Sequence, residues 1–148
     1  MTRQKNLVRN SIKGFLSLIL MGLLAVVISC SHDEEKYDVT HKVVYKAEVS
    51  AGSDITSVQF NVQGHVPKPA MNVSGTTWTS PEMPITWKLA VGEAHPLSAL
   101  AVVKATGANA SSTLKVQIYV DGILKKEKVV TGQDLSADIQ YDIEYKVN

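Results

Sequence analysis

Cys30 is the only cysteine in this chain of 148 residues. A lone thiol forms no internal disulfide, so Cys30 is either a site of modification or a spare cysteine. The other residue types that do chemistry are scattered. The four histidines, His32, His41, His65 and His95, make no H-x-H or H-E-x-x-H spacing, so no metal-ligand set is written in the chain. There is no G-x-S-x-G elbow and no glycine-rich loop opening a helix, which removes the common nucleophile and phosphate motifs. Asp33, Glu34 and Glu35 adjoin one another in a stretch with no periodicity, and a linker does not hold carboxylates in fixed geometry. Asp138, Asp142 and Glu144 alternate with apolar residues and read as the solvated face of one strand. The expectation is a protein with no catalytic residue, no metal and no cofactor; an enzyme built on a convergent carboxylate pair is the minor alternative. The side chains suited to contact rather than catalysis are Met71, Trp78 and Tyr119. Trp87 lies on the apolar side of its strand and reads as core.

The elements around Cys30 explain its position. Arg3, Lys5, Arg9 and Lys13 are the only charges among the first thirteen residues, and Phe15 to Ile28 is almost wholly apolar. A basic start, an apolar middle and a small residue, Ser29, make a secretory signal peptide over residues 1–29. As a helix the apolar run is about 21 Å long, short of the roughly 30 Å hydrocarbon core, so a permanent membrane span is the weaker reading. The junction Val27-Ile28-Ser29-Cys30 resembles the lipobox of bacterial lipoproteins, in which an aliphatic residue stands three before an invariant cysteine. The resemblance implies cleavage before Cys30 and acylation of its thiol and new amino group, and two or three acyl chains give stable attachment to membrane lipid where one is marginal. Ser31, Asp33, Glu34 and Glu35 then resemble the acidic export signal of Bacteroidetes lipoproteins, which implies an outer-membrane, surface-exposed location. Residues 30–38 read as acylated cysteine and tether, and 39–148 as one domain.

Four of the fifteen Lys and Arg leave with residues 1–29 while all fourteen acids stay, so the mature part carries a net charge of −3. That balance argues against nucleic acid as a partner, since phosphate neutralisation needs clustered cations. About 119 residues suffice for one domain with a real core. Period-two alternation dominates them, with no helical pattern. Strands are expected near 43–49, 58–62, 85–91, 97–103, 114–120 and 137–147, with a short β-prone piece at 76–80. Gly64 to Gly75, with Pro67 and Pro69, reads as a loop, and the region from Pro67–Pro69 to Trp78 reads as the candidate recognition segment. Leu97 to Val103 is apolar on both faces, as in a strand covered on both sides or at a sheet centre. Asp121-Gly122 is a type I′ hairpin signal. A strict two-residue loop there would put Lys125 and Glu127 on the apolar face, so either a bulge at Gly122 shifts the register or Lys125 to Lys128 has left the core. About seven short strands without a helix predict an all-β, immunoglobulin-like sandwich, with a small barrel as runner-up.

Val43-Val44-Tyr45, Met83-Pro84-Ile85-Thr86-Trp87 and the run Leu114 to Lys125 resemble the soluble domain of MmpS-like proteins, over roughly residues 43–145. The resemblance implies an immunoglobulin-like sandwich at the membrane, associated with lipid and siderophore exporters. This chain has neither the family's cysteine pair nor its transmembrane helix. Taken together, the expectation is a membrane-anchored lipoprotein serving as a non-catalytic binding or accessory module for an envelope protein or ligand. A structural subunit of a surface assembly is the alternative.

Cys30→Ala is expected to abolish acylation and leave the leader uncut. Intact-mass measurement of the membrane form checks this, and a mature species that begins anywhere but an acylated Cys30 contradicts it.

Overall fold

The computed structural model describes residues 35–62 and 69–147. The expected signal peptide (residues 1–29), Cys30, Ser31, Asp33, Glu34 and Pro67 lie outside these residues. Nine strands follow one another: β1 (Lys36–Val49), β2 (Asp54–Val62), β3 (Met71–Asn72), β4 (Thr77–Thr79), β5 (Met83–Ala90), β6 (Ala94–Thr106), β7 (Thr113–Val120), β8 (Ile123–Thr131) and β9 (Asp134–Lys146). They form two antiparallel sheets packed face to face, an immunoglobulin-like β-sandwich. One sheet runs β4-β1-β7-β8, with β5 also paired to β1; the other runs β3-β2-β6-β9. The short β4 is the β-prone piece expected at 76–80, whereas β3 falls in the stretch read as a loop.

Alternation decides which side chains meet between the sheets. On β1, Val43, Tyr45, Ala47 and Val49 point inward and are buried, and Leu114, Val116, Ile118 and Val120 do the same on β7. Ile55 and Val58 on β2 are an odd number of residues apart, yet both are buried. A bulge between Ile55 and Ser57 resets the alternation so that both face the core. That bulge is why β2 starts at Asp54, four residues before the clean alternation in the sequence.

The inner face of β6 is built from Leu97, Ala99, Ala101, Val103 and Ala105. Its small residues leave room for the rings of Tyr45 and Phe60, whose centroids are 5.5 Å apart, and small against large fills the layer without voids. The Tyr45 hydroxyl donates to the Asn61 carbonyl at 2.6 Å, which satisfies the one polar atom that ring carries inward. Burial pushes the Tyr45 phenol far above its ordinary pKa. β6 is an interior strand, as its apolar run implied, but it is not covered on both sides. Leu100 and Val102 on its outer face are 36% and 37% exposed.

The β7–β8 hairpin has the expected two-residue turn, with Asp121 at φ 52° and Gly122 at φ 77°. The register shift lies at Lys125, between the pairs Tyr119↔Leu124 and Ile118↔Lys126, and not at Gly122. Lys126 and Lys128 then stand opposite buried Ile118 and Val116, and none of the side chains of β8 is buried. Lys125 to Lys128 have left the core while Val130 still packs against it, and the lysines guard a sheet edge. Lys128 Nζ reaches the Asp138 carbonyl at 2.9 Å and its carboxylate at 2.7 Å, so it closes part of the free edge of β9.

β1 is longer than alternation alone indicates. Residues 36–38, read from sequence as the end of a tether, are strand, because the register Tyr37↔Leu89 and Val39↔Trp87 gives them a partner in β5. β7 stops at Val120 opposite Val43, and β2 is described as far as Val62, opposite Ala99. Beyond those points the described residues form four strands: the first half of β1 with β5, and the start of β6 with the end of β9. This neck extends about 23 Å from Val43 to Lys36 at roughly 3.3 Å per residue. At its tip Lys36 pairs with Ala90, Ala94 pairs with Lys146, and the turn Val91-Gly92 joins the two sheets.

At the opposite end the chain crosses itself and serines close the crossing. Ser50 Oγ accepts from the Thr113 N–H at 3.0 Å, and buried Ser53 Oγ accepts from the Ala108 N–H at 3.1 Å. The Gly107 N–H donates to the Gln133 carbonyl at 2.6 Å, and the Gly132 N–H donates to the Ser112 carbonyl at 2.9 Å. A Cβ on Gly107 would run into the Gly132 carbonyl oxygen and come within 2.8 Å of Ser112 Cβ. Neither can retreat without breaking these bonds. Gly107→Ala is expected to destabilise the domain by about 1–3 kcal/mol through overpacking. A lower urea midpoint at unchanged slope reports it; an unaltered midpoint contradicts this packing.

Candidate binding surfaces

From Pro69 on, the described part of the segment expected to be a recognition loop is laid down as a strap along both sheet edges. Met71 pairs with Val58, and the Val73 N–H donates to the Thr56 carbonyl at 3.3 Å. Asp54 accepts from the Gly75 N–H at 2.6 Å, while the Ile55 N–H donates to the Gly75 carbonyl at 2.9 Å. The strap then crosses to the other sheet, where the Val49 N–H donates to the Thr76 carbonyl at 2.8 Å. Gly75 has φ 120°, a conformation open to glycine and strained for other residues.

Trp78 sits opposite Ala47 on β4 and therefore points inward. Its ring lies 5.3 Å from Phe60, and it is half-buried against the core. It is mainly a wall of the sandwich. Met71, 36% exposed, is the side chain of the strap that offers apolar surface to a partner. Where β4 ends, Ser80 carries the pairing of β1 across the gap before Pro81. Its N–H donates to the Tyr45 carbonyl at 2.9 Å, and its Oγ accepts from the Tyr45 N–H at 3.0 Å.

Tyr119 is remote from the strap. It lies half-buried on the outer face of the other sheet, with Lys46 Nζ 4.6 Å from its ring centroid and its hydroxyl donating to Gln117 at 3.2 Å. Around it Lys115 pairs with Glu48 at 2.7 Å, and Gln117 donates to Glu127 at 2.6 Å. These groups satisfy one another, so the face reads as a solvated ladder. Glu35, from the acidic stretch, is exposed and accepts from the Tyr37 hydroxyl at 2.9 Å.

A second apolar surface lies on the outer face of β6. Leu100 and Val102, with Gln59, Phe60, Asn61 and Ala101, line a shallow recess of about 220 Å³ on the outer face of the β2–β6 pair. Small-molecule sites begin near 300 Å³, so this recess is of a size for one inserted side chain. The sequence carried the signal, an apolar run on both faces of β6, and a second packed layer was the alternative explanation for it.

His41 and Asp121, eighty residues apart, meet at 2.6 Å. The Asp121 carboxylate also accepts from the Lys42 N–H at 2.9 Å. Partial burial works to raise its pKa, but the Lys42 N–H and the His41 ring outweigh this and hold it below the ordinary carboxylate range. The contact pins the hairpin tip to β1. Below it, His41 meets Tyr145 edge-on at 4.6 Å. The Tyr145 hydroxyl donates to the Ile85 carbonyl at 3.2 Å, and burial together with the charge of Asp121 pushes the phenol up to about 12. Further down the neck Trp87 is half-buried and stacks on His95 at 5.5 Å. Its indole N–H is buried with no hydrogen-bond partner among the described residues. Among the described residues no three His, Cys, Asp or Glu gather as metal ligands. No protein-family model matches the chain, and no curated protein is found to be similar to it.

Trp78→Ala is expected to cost about 2 kcal/mol, somewhat less than the 3–5 kcal/mol of a fully buried ring. Met71→Ala is expected to stay within roughly 0.5 kcal/mol. Urea unfolding of the two variants measures the difference, and equal costs would remove the distinction between wall and contact.

Proposed function

We propose that this chain is a lipid-anchored lipoprotein of the outer membrane whose sandwich is a non-catalytic binding module, accessory to another envelope component. The lipobox-like junction at Cys30 supports the anchor, and the resemblance to MmpS-like domains supports a partner within a transport assembly. The observation that carries the binding role is the exposed apolar pair Leu100 and Val102 beside a recess of side-chain size. An apolar patch kept in water on a rigid sheet is surface that a partner is suited to cover. Its place on an interior strand, paired on both sides by β2 and β6's other neighbour β9, makes the patch preorganised, so little ordering opposes binding.

The test places a photo-crosslinking amino acid at Val102 in the acylated chain in its envelope. A discrete adduct is expected, lost on Leu100→Asp. That substitution should leave the urea midpoint nearly unchanged, as for most surface positions. Absence of an adduct, or its persistence in Leu100→Asp, overturns the assignment.

A further inference from the structure

The two ends of the sandwich differ in chemistry. The far end is closed by Ser50, Ser53, Asn109 and Ser112 bonded to backbone. The tip of the neck instead presents Val91, 67% exposed and the most exposed of the large apolar residues described. It sits in a two-residue turn whose Gly92 has φ 84°. Tyr37, 46% exposed, stands one residue in from that tip, in register with Leu89. Lys36 and Lys146 flank the turn, and neither forms a salt bridge among the described residues. Of the nearby acids, Asp38 faces Lys88 at 3.7 Å, Glu144 is exposed opposite Pro96, and two are engaged by neutral donors of the domain itself. Glu93 accepts from the Ala90 N–H at 3.0 Å, and Glu35 from the Tyr37 hydroxyl at 2.9 Å. An apolar tip, an amphipathic ring and lysines is a composition suited to the layer between water and hydrocarbon.

Covalent geometry adds the second argument. Lys36 is six residues from Cys30, and at about 3.3–3.6 Å per residue it stands no more than about 22 Å from the anchoring sulfur. We propose that the Val91-Gly92 turn, with Tyr37 and Lys36 beside it, rests in the phospholipid headgroup layer, so that the neck stands on the bilayer and holds the wide end outward. The inference rests on the lipid-anchor reading. The contact is small, but the anchor makes it intramolecular, and an effective concentration in the millimolar range populates contacts too weak to form between free molecules. The neck then has a mechanical role. It holds the Leu100–Val102 face, which begins where the neck widens, clear of the membrane surface and open to a partner.

The experiment uses the full acylated chain in vesicles of phosphatidylcholine and phosphatidylglycerol. Val91→Cys and Ala51→Cys, the latter in the turn at the far end, each add the one free thiol of the mature chain. Each thiol is labelled with an environment-sensitive fluorophore. The label at 91 is expected to shift to the blue and to be quenched by lipids that carry a nitroxide near the headgroup. The label at 51 is expected to keep its aqueous emission and escape quenching. Vesicle flotation is read on the same samples. Protein that floats with both labels aqueous, or with both quenched, overturns this orientation and leaves the anchor standing. Protein that does not float overturns the anchor reading, and the inference falls with it.

Discussion

The backbone pairing of β1 is the constraint on which the rest of the molecule depends. One strand of 14 residues bonds to β5 and then β4 along one edge, and to β7 along the other. A buried strand cannot leave its N–H and C=O groups unpaired without losing the free energy of each missing bond. The break between β4 and β5 at Pro81 is therefore a hazard, and Ser80 removes it by lending both its backbone N–H and its hydroxyl to Tyr45. That repair keeps Tyr45 in place, and Tyr45 anchors the aromatic run through Phe60 to Trp78. The core, the strap and the start of the neck all trace to one continuous strand.

The same economy explains the flanks. Edge strands invite pairing with foreign chains, and this protein blunts two of its edges with charge. β8 carries Lys125, Lys126 and Lys128 away from the core, and Lys128 covers a carbonyl of β9. Asp121 occupies the free side of Lys42, with its N–H donating to the Lys42 carbonyl and its carboxylate accepting from the Lys42 N–H. Besides Ile123, Leu124 and Val129 on β8, the large apolar side chains left exposed among the described residues include those on the outer face of β6 and at the neck tip. The latter two surfaces lie at different heights along the molecule, which suits one to a partner and the other to a support.

Much of the architecture was legible because alternation is a local code. From Ala137 to Val147 the residues expected to face inward include Ala137, Ile139, Ile143 and Tyr145, all of which are buried. Asp121-Gly122 specified its own turn, since only certain residues accept φ > 0 at both central positions. The misreadings arose where alternation breaks or where a neighbour decides. The bulge after Ile55 hid the start of β2, because parity read across it appears wrong. The tether residues 36–38 became strand because β5 supplies their hydrogen bonds. Apolar residues on both faces of β6 fit a strand covered on both sides and a sheet-centre strand alike, and which of the two holds is not a property of β6. Of the candidate contact residues, Met71 stands on an edge strand with exposed surface, Trp78 is largely wall, and Tyr119 belongs to a different face.

By itself, the sequence determined that the domain is all-β, which residues of most strands face one another, and that one cysteine follows an apolar run. Each of these depends on residue type and spacing within a dozen positions, where sterics and hydrophobic period act directly. Only the tertiary structure decided the neck, the meeting of His41 with Asp121 across eighty residues, the close approach of Gly107 to Gly132, and the recess beside Leu100. These depend on which strands lie side by side and where each one stops. That is set by the summed burial and backbone pairing of the whole chain, and no single segment encodes it.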